Sequence, residues 1–332
     1  MKKVKTKRAG FLRRGGMLGP GCAWMLVLAF LLALPSIVSL SWLSIVTEML
    51  ILSLAACALN LIMGYAGMVS FGAGGLYGIG AYGTGLLLVY TNTPFGIAVI
   101  AGPVMAGLIS IIIGWLCVRR TLIYFTLLSF ALSQLIWVVV FKWRSLTRGD
   151  DGIVGIRIPD FLISIPHYYY FALATVAICL ALLWMIVNSP FGKTLEAIRE
   201  NPRRTESIGI NVKKYQLGVF VIQGFFLGVA GSLICGFTQA LFPSYASWLE
   251  SADIFLVCLM GGVYHFTGPI VGSLIYILLS KILSNYTMYW PLFLGVIIVL
   301  VALFFRGGAV GFISDKFSDI KRLRKQKIEV TS

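Results

Sequence analysis

The chain has 332 residues, of which 59% are hydrophobic and only 12% are charged, and its formal net charge is +15. A soluble domain carries about 25% charged residues, so this chain has too little polar surface to form one, and lipid must surround most of it. The positive charge does not indicate nucleic acid, because the Lys and Arg residues stand in blocks between apolar stretches, as membrane topology predicts.

Apolar stretches of spanning length predict an all-α integral membrane protein. A spanning helix needs about 20 mainly apolar residues. Uninterrupted candidates are 22–40, 43–63, 95–117, 122–141, 167–187, 215–238 and 288–305. Residues 69–90 and 253–283 are also apolar but are interrupted by glycine, and we expect the second to cross twice, at 253–263 and 268–283. The prediction is therefore about ten transmembrane helices.

Blocks of basic residues predict the orientation, because Lys and Arg concentrate on the cytoplasmic side. Seven lie in the N-terminal tail, six in 188–214 and seven in the C-terminal tail. Ten crossings bring all three regions to the cytoplasmic side, and only the basic segment 142–166 then falls outside. The predicted organisation is a basic cytoplasmic tail at 1–21, a membrane domain at 22–305 and a second basic cytoplasmic tail at 306–332.

The number of crossings predicts an internal repeat. Ten crossings divide into two groups of five, and because five is odd the second group runs in the opposite sense to the first. This is the geometry of an inverted-topology repeat. The spans at 69–90 and 253–263 occupy equivalent positions, and both are glycine-rich and broken. We therefore expect a 5+5 inverted-topology repeat with broken, glycine-rich helices.

The stretch from Asn60 to Gly85 is unusually rich in glycine, with nine between Gly64 and Gly85. Each glycine costs a helix about 1 kcal/mol relative to alanine. Close packing of helices through small residues is one explanation. The favoured one adds a chain break at Gly64–Gly67 beside a water-filled path. The residues that we assign to this path are Asn60, Gly64, Tyr65, Gly67, Ser70, Tyr77 and Tyr82.

A second break is predicted between Gly261 and Pro269. A Gly-Gly pair and a Gly-Pro pair bracket five residues between two apolar segments. Proline removes a backbone donor and disfavours helix in the residue before it. The pattern predicts a half-helix turn, and we assign Gly261, Gly262, Gly268 and Pro269 to the translocation pathway. A proton relay at His265 is the lesser alternative, because no carboxylate lies near it in sequence.

The polar segment 189–215 predicts two short helices that meet at a proline. Ser189 and Asn201 are both favourable N-cap residues, and each is followed by a proline at the first helical position. Gly209 supplies a stop after the second helix. Phe191, Leu195 and Ile198 share one face of the first helix. We favour a surface that docks a soluble partner over a loop on the membrane surface, because mixed charges around an apolar stripe suit a protein groove.

Charged residues inside the apolar stretches are few, and Glu48, Asp253 and Lys281 are the ones that stand out. We expect all three near the ends of their spans, where a charge can reach the interface. An ion-coupled carrier usually keeps an ionisable group at mid-depth. The pattern therefore indicates that energy enters from elsewhere.

Four motifs follow one another between residues 40 and 305. They are NLIMGYAGMVSFGAGGLYGIGAY at 60–82, GDDGIVGI at 149–156, SPFGKTLEAIRENPRRTESIGINVKKYQ at 189–216 and LMGGVYHFTGPIVGS at 259–273. In this order they resemble the permease subunits of branched-chain amino acid ABC transporters of the LivM type. Two positions depart from the family, which commonly has Gln where Met68 stands and His where Ala73 stands. The departures leave open whether the solute differs.

The resemblance implies a set of partners: a second related permease, two cytoplasmic ATPase subunits and an extracytoplasmic solute-binding protein. It also implies that 189–215 is the segment that couples to the ATPase, with the apolar stripe in an ATPase cleft. The residues assigned to coupling are Phe191, Leu195, Glu196, Ala197, Ile198, Arg199, Glu200, Arg203 and Gly209. The chain itself would need no cofactor, since the partners would bind ATP, and it has no GxxxxGK[ST] phosphate loop.

The expected function is that of an ABC importer permease for branched-chain or related amino acids, in the inner membrane of a bacterium with both termini cytoplasmic. Related permeases carry urea and short amides, so these or another small polar solute are alternatives. A stand-alone secondary transporter is a further alternative. An enzyme is not expected, because the sequence has no HExxH, GxSxG or paired-Asp motif.

Overall fold

The computed structural model describes residues 28–91, 93–119 and 122–304, together with Gly308 and Gly311. The predicted basic tails, 1–21 and most of 306–332, lie outside the described residues, as do the first residues of the predicted span 22–40. Residues 28–33 are helical, and a 3-10 turn at Leu34–Ser36 follows them.

Helices form most of the described chain. We label them α1 Leu40–Asn60, α2 Ala73–Tyr90, α3 Phe95–Cys117, α4 Leu122–Lys142, α5 Ile165–Asn188, α6 Pro190–Glu200, α7 Pro202–Ser207, α8 Val212–Thr238, α9 Trp248–Gly261, α10 Gly268–Tyr286 and α11 Trp290–Phe304. Single turns at Arg144–Thr147, Gly149–Asp151, Asp160–Leu162 and Pro243–Ala246 are left unlabelled. Two strands, β1 Ile153–Val154 and β2 Ala240–Leu241, pair with each other.

Six helical segments of the described chain are long and apolar enough to cross a membrane. They are Leu40–Tyr65, Phe95–Cys117, Ile123–Lys142, Ile165–Asn188, Val212–Thr238 and Gly268–Tyr286. Large apolar side chains on their outer faces are uncovered, with Ile100 67% exposed and Ile112 63% exposed. Exposed apolar faces of this kind are unfavourable in water but favourable in contact with lipid. The chain is an all-α, multi-pass membrane protein.

The other predicted crossings differ in length from ordinary spans. α2 begins at Ala73 rather than at residue 69, and it has 18 residues. α9 covers 14 residues and α11 covers 15. The count of ten crossings stays a prediction.

α8 lies at the centre of the bundle and packs against α1, α2 and α3. It runs parallel to α2, since Gly80 lies against Gly228 and Gly85 lies against Cys235. A Cβ added to Gly80 would stand 2.7 Å from the carbonyl carbon of Gly228, so the two backbones touch. Small residues permit this approach. Close packing therefore explains the glycines within α2.

α9 and α10 form an antiparallel hairpin. Val257 lies against Gly272, and the Tyr276 hydroxyl donates to Asp253 Oδ1 across 2.6 Å. α10 also packs against α1. The hairpin thus covers one side of α1, and α8 covers another.

Both predicted helix breaks are confirmed. α1 continues as a π-helical turn at Leu61–Tyr65 and stops, and residues 66–72 are not helical. Gly67 has a φ of 71°, the left-handed conformation that commonly ends a helix, and the Met68 N–H donates to the Ile62 carbonyl across 3.1 Å. The second break follows α9, where Gly262 has a φ of 109° and residues 262–267 form a turn.

The depth of the first break follows from the packing of α2 on α8. α8 has 27 residues, about 40 Å at 1.5 Å per residue. Gly80 lies beside Gly228. Gly74 comes six residues earlier in α2, and because the two helices are parallel it lies nearer the start of α8. The start of α2 is therefore near the middle of the bundle, whereas Tyr65 ends a full-length span. The break is not an interruption at mid-depth, because residues 66–72 return from one end of the bundle to its centre.

The strand pair joins two connections at one end of the bundle. Ile153 pairs with Leu241 and Val154 pairs with Ala240, in antiparallel register. The segments 142–166 and 239–242 therefore lie at the same end, as the predicted topology requires. α6 packs against the π-helical turn at the other end.

Candidate functional site

The start of α2 carries backbone N–H groups that have no partner within the helix. In apolar surroundings such groups must be satisfied by neighbouring protein. Three serine hydroxyls accept them: Ser70 from Gly72 at 3.2 Å, Ser251 from Gly74 at 2.7 Å and Ser133 from Gly75 at 3.0 Å. This is how a helix can begin near mid-bilayer.

The start of α9 lies beside the start of α2. Gly74 contacts Ser247 and Ser251, and Gly78 contacts Ala246, so the two short helices run in opposite directions from a shared crossing. Ser251 was missed by sequence analysis. Its signal is weak, because a single serine in an apolar run is usually an unremarkable small residue.

Most of the polar residues predicted to line a path are buried. Asn60, Ser70, Tyr77 and Tyr82 are at most 4% exposed, and Tyr65 is partly buried. The Asn60 Oδ1 atom and the Tyr82 hydroxyl have no hydrogen-bond partner among the described residues. Their role in a pathway stays a prediction.

The two departures from the family pattern are also buried. Met68 is 2% exposed and Ala73 is 0% exposed. Both lie at the first break, where residues 66–72 lead into α2. An effect on the solute therefore stays a prediction.

The two helix breaks contact each other. The Asn60 amide donates to the His265 carbonyl across 3.3 Å, and Gly64 lies against the Val263 carbonyl. Gly261 lies against the Gly268 backbone, which closes the hairpin of α9 and α10. The pathway residues predicted at the two breaks are thus brought together, although they are far apart in sequence.

The caps predicted for the coupling segment 189–215 are confirmed. Ser189 Oγ accepts from the Gly192 N–H at 3.5 Å, and Asn201 Oδ1 accepts from the Arg204 N–H at 3.1 Å. Gly209 has a φ of 89° and follows the end of α7. Two short helices therefore meet at Asn201 and Pro202, as predicted.

The apolar stripe on α6 faces the chain itself, which corrects the prediction that it enters an ATPase cleft. Leu195 is 0% exposed and Ile198 is 1% exposed, and Phe191 stacks on Tyr215 with ring centroids 5.4 Å apart. Burial of apolar surface against α5 and α8 outweighs its exposure to a partner.

The opposite face of the coupling segment is open. Its exposed residues include Lys193, Ala197, Glu200 and Arg203. Glu196 is paired with Lys193 across 3.1 Å. A partner would therefore meet this charged face.

Arg199 extends from the last turn of α6 to the first break. Its guanidinium donates to the Gly64 carbonyl, and its Cζ lies 5.5 Å from the centroid of the Tyr264 ring. The coupling segment therefore contacts both helix breaks through one side chain.

One charge inside the bundle, Asp253, lies deeper than predicted. Asp253 is two residues beyond Ser251, which meets the start of α2 near mid-depth, and Tyr276 binds it. Glu250 is only partly exposed and was missed by sequence analysis. Glu48 and Lys281 form an ion pair of 3.1 Å between α1 and α10. The expectation that Asp253 lies near a span end was wrong, so charge placement does not exclude an ion-coupled carrier.

An apolar groove of about 280 Å³ lies between α1 and α5. Its lining includes Leu50, Val176, Trp184 and Phe266. The described residues that line it include no charged group that would orient a charged solute. The groove suits a lipid chain or another apolar helix better.

A multi-pass bundle with two broken helices and a capped, two-helix segment against them is the architecture of a transporter permease. The family follows from the sequence. Residues 41–302 match the family described as branched-chain amino acid transport system / permease component. The match covers most of the chain, which therefore belongs to this family of ABC importer permeases.

Individual relatives agree with this assignment. The chain is 24% identical over 304 residues to the high-affinity branched-chain amino acid transport system permease protein LivM of Escherichia coli, covering 83% of this chain and 71% of the relative. It is 24% identical over 285 residues to LivH of the same organism, covering 78% and 91%. It is 28% identical over 162 residues to the ribose import permease protein RbsC of Haemophilus influenzae, covering 46% of each. No solved structure matches the chain.

Proposed function

We propose that this chain translocates branched-chain or related amino acids as one permease of an ABC importer in the bacterial inner membrane, with both termini cytoplasmic. A second related permease pairs with it, two ATPase subunits bind and hydrolyse ATP at its cytoplasmic end, and an extracytoplasmic binding protein delivers the solute. The chain itself binds no nucleotide.

One observation carries the mechanism: the coupling segment touches the helix breaks. α6 packs on the π-helical turn at Leu61–Tyr65, and Gly64 in that turn contacts the second break. A displacement of α6 by an ATPase would therefore reach the non-helical backbone directly. Broken helices are tolerated within a membrane where they are enclosed by protein or line a cavity, and in many transporters they form the substrate site.

The 5+5 inverted repeat is part of this proposal. α3 packs against α2 and α8, and α10 packs in the same way against α9 and α1. The two long central helices also end alike. α1 is followed by Gly67 with a φ of 71°, and α8 is followed by Gln239 with a φ of 52°. An exchange of α1 with α8, of α2 with α9 and of α3 with α10 accounts for all of these features.

The names of the relatives support amino acids as the solute. LivM and LivH are described as branched-chain amino acid permeases, and both alignments cover most of this chain. The shorter similarity to a ribose permease favours another small polar solute as the second candidate, with urea and short amides in the same class.

Reconstitution of the complete transporter in liposomes tests the proposal. Leucine, isoleucine or valine, presented with the binding protein, should drive ATP hydrolysis and accumulate inside, and urea and ribose should compete poorly. Substitution of Glu196 or Gly209 should reduce this stimulation. If only ribose or urea stimulated ATP hydrolysis, the proposed solute would be wrong, but the assignment as an ABC importer permease would stand.

The purified chain without its partners gives the opposing result. A stand-alone secondary transporter would accumulate solute in liposomes under an ion gradient and without ATP. We expect no uptake from the chain alone. Uptake there, together with no stimulation in the complete assembly, would overturn the proposal.

A further inference from the structure

Arg199 has an unusual set of partners for a residue of a short amphipathic helix. Glu196 stands one turn before it and Glu200 directly after it. Among the described residues neither forms an ion pair with Arg199, and Glu196 pairs with Lys193 instead. The guanidinium donates to the backbone carbonyl of Gly64, 135 residues away in sequence.

The Gly64 carbonyl is a natural acceptor for a cation. It lies in the last turn of a 26-residue helical segment, Leu40–Tyr65, where carbonyl groups lack helical partners. The C-terminal end of a helix also carries partial negative charge. A guanidinium therefore both satisfies the carbonyl and complements the helix end.

The next glycine is fitted to the same side chain. A Cβ added to Gly67 would stand 2.7 Å from Arg199 Cγ and 3.3 Å from Arg199 Cβ. The stem of Arg199 therefore lies directly on the residue whose positive φ ends the helix. Gly64 and Gly67, the two ends of the predicted chain break, are both held by this one residue.

The second break completes the contact. The Tyr264 ring lies under the Arg199 guanidinium, within the distance of a cation–π interaction. Tyr264 is itself 68% exposed, so the core does not fix its ring in this position. The neighbouring His265 carbonyl is bonded to Asn60 on α1.

We infer that Arg199 is the positioning residue that transmits displacement of α6 to both helix breaks at once. The inference rests on the proposed function, since it assumes that an ATPase moves α6. Arg199 does not touch the solute. It holds the first break through a charge-assisted hydrogen bond and the second through the ring of Tyr264.

The test uses the complete transporter in lipid nanodiscs and liposomes. Arg199→Gln should reduce solute uptake about tenfold or more, the loss expected for a hydrogen bond from a charged donor. Arg199→Lys should restore much of it, because an ammonium can donate to the Gly64 carbonyl. Tyr264→Leu should give a loss of about threefold, in keeping with a weaker contact. Arg119→Gln is the matched control, since Arg119 also lies over a ring, that of Trp115, at 3.5 Å.

Hydrogen exchange separates transmission from simple stability. In the wild-type complex, trapping the ATPases with a nucleotide analogue should change exchange in α6, in residues 61–72 and in residues 262–267. In Arg199→Gln the change should persist in α6 and disappear from both breaks. Equal uptake and equal exchange changes in Arg199→Gln and Arg119→Gln would overturn the inference while leaving the proposed function intact. A wild-type complex without solute-stimulated ATP hydrolysis would instead overturn the proposed function.

Discussion

The Gly74 amide donates to the Ser251 hydroxyl across 2.7 Å, although 177 residues separate them in sequence. Gly74 is in the first turn of α2 and Ser251 is in the first turn of α9. The bond therefore joins the starting points of two short helices from opposite halves of the chain. Both residues are buried, so water cannot replace the bond.

Ser251→Ala should destabilise the folded chain by about 1–2 kcal/mol, because it leaves the Gly74 N–H buried without an acceptor. Unfolding by a denaturing detergent in mixed micelles measures the change. Ser280→Ala is the control, since within the described part of the chain the Ser280 hydroxyl bonds only to the Ile277 carbonyl in its own helix. Equal unfolding midpoints for the two variants would show that this hydrogen bond does not stabilise the folded chain.

Gly80→Ala should cost about 1–3 kcal/mol, because the added methyl group would overlap the Gly228 backbone and force α2 away from α8. The same substitution at Gly96 meets no atom of the described residues within 4 Å and should change stability by less than about 1 kcal/mol. Thermal unfolding of both variants in one detergent compares them. A tolerated Gly80→Ala would show that these backbones do not touch.

Ile198→Ala should destabilise the chain even in the absence of ATPase subunits, by about 2–3 kcal/mol, because the side chain is buried against the bundle. Lys193→Ala removes an exposed ion pair on the same helix and should cost at most about 0.5 kcal/mol. Unfolding of the isolated chain distinguishes them. If Ile198→Ala instead left the chain unchanged and only weakened ATPase binding, the stripe would face the partner after all.

Exchanging Glu48 and Lys281 tests the ion pair between α1 and α10. Either single substitution, Glu48→Lys or Lys281→Glu, places like charges together within the membrane and should lower folded yield. The double exchange should recover it, with a coupling energy of about 1 kcal/mol because both side chains are partly exposed. Yield in membranes and a double-mutant cycle provide the measurements. Additive losses would show that the residues act independently.

The sequence predicted the local breaks well. Gly67 and Gly262 do adopt positive φ values, and Ser189 and Asn201 do cap their helices. Such features depend on a few neighbouring residues, because glycine, proline and short polar side chains act on the backbone beside them. The helix boundaries near these residues could therefore be predicted from the sequence without knowledge of the fold.

The sequence did not reveal which way the same elements face or how deep in the bundle they lie. Amphipathic spacing identified the stripe of Leu195 and Ile198 but could not say whether a partner or the chain itself covers it. The depth of Asp253 depends on which helix lies beside α9. The same holds for Ser251 and Arg199, whose partners are more than 130 residues away. These relations depend on packing of distant helices, which no local pattern encodes.

The paired strands have a consequence for the end of the molecule remote from the coupling segment. The Gly155 and Ile156 N–H groups both donate to the Gln239 carbonyl at 3.1 Å, next to the β1–β2 pairing. These main-chain hydrogen bonds join two connections into one surface, and neither connection can move away without breaking them. A soluble protein that binds at that end would contact a preformed surface. Its binding would not have to order these loops.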